Sequence, residues 1–236
     1  MRSLHDTARF TKHALRAFRG RDLWPRTQAK CKRVTLGNEA ACWCVCPERL
    51  SASSVVYSIG VGEDISFDLA LIQMFGMKVH AFDPTPRSIE WLQGQTLRPE
   101  FVFHAYGLAG FDGSCPFMPP ENPSHVSHTI VPRATSRQAI EVPMHRLGTI
   151  MKMLGHSQID LLKMDIEGAE YAVLEDMLAC RIDVKQLLVE FHHRWPEVGI
   201  EKTKDALRAL NEASYKIFSI SPGGEEYSFL QQPNKL

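Results

Sequence analysis

What this chain lacks narrows its function before any motif is read. No apolar run approaches the roughly 18 residues needed to cross a bilayer, so no transmembrane segment is expected. An excess of charge is also missing: 27 Lys and Arg balance 27 Asp and Glu, which implies no bulk attraction to nucleic acid. The first residues, MRSLHDTARFTKHALRAFRGRDLW, have no apolar stretch of the secretory kind. Repeats and low-complexity tracts are absent, and an apolar fraction of 44% argues against disorder. Cysteines number six, and only Cys42, Cys44 and Cys46 cluster. Their alternate spacing places them on one strand face, but zinc sites pair ligands on turns and need a second cluster. Cys31, Cys115 and Cys180 are scattered through the sequence. Reduced thiols buried in a strand are expected, which favours a cytoplasmic setting.

What is present is an alternation. Strands are expected at Val55–Gly60, Lys78–Phe82, Phe101–Tyr106, Ile159–Met164 and Gln186–Phe191. Helices are expected at Ile65–Phe75, Pro86–Gln95, Leu147–Leu154, Ala169–Ala179 and Thr203–Ala213. Gly107–Arg137 reads as a hairpin and loops, and two short strands flank Pro222-Gly223-Gly224. Strand and helix in turn, closing on an antiparallel hairpin, imply an α/β doubly wound, mostly parallel sheet. Residues 1–50 read as a helical and strand extension and residues 51–236 as the main domain. The extension opens with a basic amphipathic helix carrying Leu4, Ala8, Phe10, Ala14, Leu15 and Phe18. Its plain reading is a helix packed on the domain or a solvated arm. The sharper one is weak contact with a membrane surface.

In such sheets ligands bind beyond the carboxyl ends of the strands. The first strand runs into Gly60-Val61-Gly62 followed by Glu63 and Asp64. The third glycine of the dinucleotide fingerprint is missing, and two acids stand where a phosphate would bind a helix N-terminus. A ligand with positive charge, or with amino and hydroxyl groups, suits this turn better. The turn also has a plainer reading, with Asp64 simply capping the helix. The second strand ends at Asp83, placed to accept bonds from ribose hydroxyls. The fourth ends at Asp165 and the fifth at Glu190, beside His192 and His193. A nucleoside without phosphates is the ligand this pattern describes.

The segment VVYSIGVGEDISFDLALIQMFGMKVHAFDPTP, followed by IDLLKMDIEGAEYAVLEDML and then LLVEFHH, resembles the FkbM-type S-adenosylmethionine-dependent methyltransferases. These belong to the class I, Rossmann-like superfamily with a seven-stranded sheet. The resemblance covers about Val55 to Arg194, and the tail hairpin is similar to the family's last two strands. It implies S-adenosylmethionine as cofactor, contacted by Ser58, Gly60, Gly62, Glu63, Asp64, Asp83 and Asp165. Ser58 stands where the family carries an acid that holds the methionine moiety, so Glu63 or Asp64 is expected to take over that task. In metal-assisted relatives, carboxylates ending the fourth and fifth strands hold a divalent ion such as Mg²⁺; by position these are Asp165 and Glu190. His192 or His193 is the candidate base for an acceptor hydroxyl. Lys163, inside a buried run, is expected either to serve the chemistry or to form a structural ion pair with one of these acids. Glu167 and Glu170 are assigned to the first turn of the following helix. The acceptor is expected to be a small molecule or glycan, with Met118–Arg133 (His125, His128 and Arg133) as part of a lid. Two rival readings remain open: a cofactor-binding domain without catalysis, and a nicotinamide oxidoreductase.

Overall fold

Near-continuous apolar runs become the central strands, because a parallel sheet covered on both faces has no solvent side. The computed structural model describes residues 4–39, 41–117 and 140–232. In chain order these form α1 (Leu4–Phe18), β1 (Val34–Leu36), β2 (Trp43–Val45), β3 (Val56–Ile59), α2 (Ser66–Phe75), β4 (Val79–Phe82), α3 (Pro86–Gln93) and β5 (Phe101–His104). They continue with β6 (Gly107–Leu108), β7 (Gly113–Phe117), β8 (Ile140–His145), α4 (Leu147–Leu154), β9 (Ile159–Met164) and α5 (Glu170–Ala179). The chain closes with β10 (Val184–Glu190), α6 (Ile200–Glu212), β11 (Tyr215–Ile220) and β12 (Glu226–Gln231).

The main sheet has seven strands in the order β11-β12-β10-β9-β3-β4-β5. The five strands from β10 to β5 run parallel. β12 enters antiparallel between β10 and β11, so the expected hairpin closes the sheet. Alternate residues feed two cores. Tyr57, Ile59, Phe82, Leu162 and Met164 pack with α4, α5 and α6. Val56, Val79, Ala81 and Leu161 pack with α2 and with Leu36 and Trp43 of the extension. Each such aliphatic or aromatic side chain contributes about 1.5–3 kcal/mol on full burial. Chain order reverses on the two sides of β3, which places a crevice at the carboxyl ends of β3, β4 and β9.

One strand was not legible. Ile140–His145 pairs with β7 antiparallel and β6 parallel in a second, three-stranded sheet. Pro143 interrupts its apolar pattern, and it is tolerated because, among the described residues, β6 pairs only with Met144 and His145, which leaves one side of β8 an open edge at Pro143. The expected lid, Met118–Arg133 with His125, His128 and Arg133, lies outside the described residues.

The extension is fastened to the domain. The side-chain amide of Gln186, in the middle of β10, donates to Cys46 O and accepts from Cys46 N at 3.0 and 2.9 Å. All six thiols are free. Cys31 is not isolated as its sequence position suggests: it packs with Cys44 and Cys46 against Phe218 and Leu230. Burial first, then Cys46, pushes its thiol up to about 12, which leaves it inert near neutral pH.

A histidine cluster flanks β4 and β5. His80 Nδ1 lies 3.0 Å from His104 Nε2, and Tyr57 Oη lies 2.7 Å from His156 Nδ1. Burial, then the neighbouring His104 and His156, pulls His80 down to about 4. The unfolded chain therefore binds the proton more readily, so His80's contribution to stability is present above about pH 6.5 and is lost as pH falls toward about 4. Urea midpoints are expected to drop between pH 7 and pH 5, and His80→Phe should flatten that slope. An equal slope in the variant would assign it to other groups.

Candidate functional site

The site begins where β3 ends. Gly60 has φ of 77°, and a Cβ there would stand 1.8 Å from Asp165 O. Only glycine lets the turn pass that close to the end of β9. Gly62, with φ of 55°, donates its N–H to Asp83 Oδ2 at 2.9 Å. Asp83 Oδ1 accepts from Thr85 N at 2.9 Å and from Thr85 Oγ1 at 2.7 Å. The β4 carboxylate thus ties the glycine turn to the start of α3. Around these groups lies a cleft of about 330 Å³, whose lining includes Trp43, Gly60, Asp83, Asp165, Glu190 and Glu226. That volume falls in the range of small-molecule sites.

Lys163 was expected either to serve the chemistry or to pair with a nearby acid. Its Nζ instead donates to Ile59 O at 3.2 Å and Gly60 O at 2.8 Å, with the Trp43 ring 5.6 Å away. It holds the turn by its carbonyls, reaching across from the residue registered with Ser58. Ser58 itself is buried and is not among the cleft's lining residues, on the sheet face that carries α2. Beside it lies buried Asp68, whose carboxyl is pushed up to about 6 by burial against the opposing effects of Ser58 and Lys163.

Glu63 and Asp64 reach the cleft wall but have other engagements. Glu63 receives a bidentate pair of bonds from Arg87 at 2.8 and 2.9 Å. Asp64 Oδ1 accepts from Ser66 N at 2.9 Å and its Oδ2 binds the Asn38 side chain. Asp64 is not itself the cap expected of it: it lies one residue before Ile65, the N-cap of α2, and holds the N–H of Ser66, the first residue of that helix. The duties that Glu63 and Asp64 seemed to lack in the sequence come from Arg87 and Asn38, which no local pattern announced.

The acids at the ends of β9 and β10 converge. Asp165, Glu190 and His192 each bring one ligand-type atom within 4.8 Å of the others. Asp165 Oδ1 is buried with no hydrogen-bond partner among the described residues. Burial raises the Asp165 carboxyl, with Glu167 and Glu170 adding and Lys163 and His192 opposing. Glu190 rises well above the usual carboxylate range for the same first reason, followed by Asp165. His192 Nδ1 lies 2.6 Å from Glu170 Oε1, and its Nε2 lies 3.3 Å from Glu167 Oε2. Burial opposes a charge on this ring, but the bonds to Glu167 and Glu170 and the field of Glu170 and Asp165 outweigh it and raise it well above its ordinary value. A base that already holds its proton at neutral pH is poorly prepared to take another.

Two expectations change here. Glu170 does stand in the first turn of α5, but it is fully buried there and fixes His192 through both ring and backbone N–H. Glu167, with φ of 55°, is a strained non-glycine residue directed at the same ring. His193 points the other way. Its ring is fully buried and its Nε2 binds Asp22 Oδ1 at 2.7 Å, so it belongs to the junction with the N-terminal extension and does not line the cleft.

Residues 45–217 match the family model described as the methyltransferase FkbM domain. The chain belongs to the FkbM methyltransferase domain family. The match begins inside the extension, at β2, and ends within β11. Probable methyltransferase-like protein 24 of Rattus norvegicus is 28% identical over 174 residues, covering 69% of this chain and 42% of that protein. The Homo sapiens protein of the same name is 26% identical, covering 69% and 41%. This FkbM chain thus spans about two fifths of the length of those relatives. The crystal structure of the FkbM methyltransferase from Methylobacillus flagellatus KT is similar at a TM-score of 0.48 and 13% identity, covering 77% of this chain and 44% of that one.

Proposed function

We propose that this FkbM domain transfers the methyl group of S-adenosylmethionine to a hydroxyl of a small-molecule or sugar-like acceptor. The observation that carries the reading is the convergence of Gly60, Gly62, Asp83 and Asp165 on one cleft inside the family segment. The chemistry of the lining fits that cofactor. Acids predominate, and among the described lining residues the two Lys and Arg side chains are engaged: Arg9 with Glu226 and Lys163 with the turn carbonyls. Such a cleft favours a sulfonium and an ammonium over a pyrophosphate, which sets the nicotinamide reading behind the methyltransferase one.

In this reading Asp83 faces the ribose hydroxyls and the glycine turn admits the methionine moiety. The Asp165–Glu190 pair accepts the proton of the acceptor hydroxyl, and protonated His192, fixed by Glu167 and Glu170, balances their charge. A divalent cation would instead be held by Asp165 and Glu190, and by His192 only in a neutral form freed from Glu167; the Asp165 Oδ1, without a hydrogen bond among the described residues, fits that role. A cation held there would make the acceptor hydroxyl more acidic.

Calorimetric titration with S-adenosylmethionine and with NAD, followed by turnover to S-adenosylhomocysteine on a panel of hydroxylated acceptors, tests the proposal. Asp165→Asn is expected to lower turnover by about 10²–10⁴-fold, the usual range for a positioned proton acceptor. Turnover lost to a chelator and restored by Mg²⁺ would support the cation. Chelator-resistant turnover abolished by Asp165→Asn would leave the carboxylate acting alone. Tight S-adenosylmethionine binding without turnover on any acceptor would favour the non-catalytic reading, and preference for NAD would overturn the cofactor assignment.

A further inference from the structure

The whole chain is electrically balanced, but its charge is not evenly spread. Residues 1–33 hold ten Lys and Arg against two Asp and Glu, so an excess of positive charge at one end is matched by an acidic remainder. The same segment holds three of the six exposed large apolar side chains found among the described residues: Leu15 at 49% exposure, Phe18 at 91% and Trp24 at 49%. The sequence left open whether the apolar side of this helix packs on the domain, is solvated or meets a membrane surface, and the structure leaves Leu15 and Phe18 exposed.

That outward face is held in place. Arg9 binds Glu226 at 3.1 Å, and His13 Nε2 lies 2.7 Å from Leu23 O. Trp24 packs edge-on against Phe10 and beside His13, with ring centroids at 5.3 and 4.6 Å. The hairpin turn at Gly223-Gly224 is glycine because α1 lies on it: a Cβ at Gly224 would meet the His13 ring at 2.3 Å. α1 is therefore a docked helix with a fixed exposed side. On that side Lys12, Arg19, Arg21 and Arg26 are exposed around the three apolar groups.

We infer that the outer side of α1 together with the turn through Trp24 is a docking surface for anionic membrane lipid. Two needs have to be met at once, by phosphate-bearing or carboxylate-bearing headgroups for the guanidinium and ammonium groups and by an apolar medium for Phe18, Leu15 and Trp24. A nucleic-acid backbone would meet the first and leave Phe18 in water. A bilayer interface meets both, taking apolar side chains about 5–10 Å deep while basic groups remain among the headgroups. Aromatic residues at such a boundary anchor depth. This surface is independent of the chemistry proposed for the cleft.

The test is co-sedimentation of the full chain with vesicles of phosphatidylcholine alone and with vesicles containing roughly a third phosphatidylserine. At least tenfold stronger partitioning onto the anionic vesicles is expected, falling in high salt as screening shortens to about 3 Å. Arg19→Ala with Arg21→Ala should weaken it roughly 30-fold, from about fivefold per basic residue. Phe18→Ser should weaken it at least about tenfold, as expected for an aromatic ring left in water. These side chains point away from the domain, so unchanged thermal midpoints are expected, and Lys12→Ala gives a separate electrostatic check. Equal partitioning onto both vesicle types, no partitioning onto either, indifference to Phe18→Ser, or binding to a DNA duplex without vesicle binding would each overturn the inference.

Discussion

Replacing Asp83 with alanine is expected to lower the affinity for S-adenosylmethionine about 100-fold, equivalent to about 2.7 kcal/mol, the upper end for a hydrogen bond to a charged group. A carboxylate offers about four lone-pair sites. Three are occupied by Gly62 N–H and by the N–H and hydroxyl of Thr85. The ribose therefore meets one open site, or displaces the Gly62 N–H to gain a second. In the proposed pose the alanine variant removes that acceptor and also releases the glycine turn, so the cofactor would lose contacts at both its ribose and its methionine moiety. Thermal stability should fall much less than affinity, because the packing of Val79 and Phe82 below is untouched. Calorimetry on the variant decides the matter. Unchanged affinity would remove Asp83 from the binding site, and equal loss of folding and binding would give it a structural role only.

Asp22→Ala is expected to cost at least about 3 kcal/mol of stability, the lower end of the range for breaking a buried ion pair by removing one partner. Asp22 is buried and accepts from His193 Nε2 at 2.7 Å and from Arg194 Nε and Nη2 at 2.9 and 2.6 Å. Arg194 also binds Glu225 and Gly223 O, so one carboxylate from the extension closes a network that spans the end of β10 and the β11–β12 turn. The lower end applies because Arg194 keeps Glu225 and Gly223 O as partners when Asp22 is gone.

Acidity should reproduce part of this effect. Burial would raise the Asp22 carboxyl, but bonds from His193, Arg194 and the Leu23 N–H hold it at about 2. A folded-state value below the unfolded 3.8 means that the contribution is complete above about pH 3.8 and is lost between there and about pH 2. This window lies below the one set by His80. Urea unfolding across pH should therefore show two separate losses in the parent chain. The lower one should vanish in Asp22→Ala while the upper persists. A variant as stable as the parent at pH 7 would show that the junction is dispensable.

Local pattern was enough for most of the frame. The runs IDLLKM and QLLVEF could only be strands covered on both faces, and PGG between two alternating segments could only be a tight turn. Glycines and acids at four strand ends located the cleft, because an α/β sheet exposes those ends together at its switch point. The strand carrying Pro143 was missed because its partner, Ser114, is remote in sequence.

The sequence by itself determined the sheet, the family segment and the set of residues from which a site is drawn, since these follow from periodicity and from residue types at strand ends. Only the tertiary structure decided how those residues divide their work. His192 and His193 are neighbours with the same chemistry, just past the end of β10, where no strand alternation fixes which way either ring turns. Glu170 on α5 drew His192 toward the acids, and Asp22 from the extension drew His193 to the junction. Glu63 and Asp64 likewise acquired Arg87 and Asn38, and Leu15 and Phe18 came to lie on the exposed side of α1. Each of these outcomes depends on partners from elsewhere in the chain, and a charge or a ring takes its role from the groups that reach it in space.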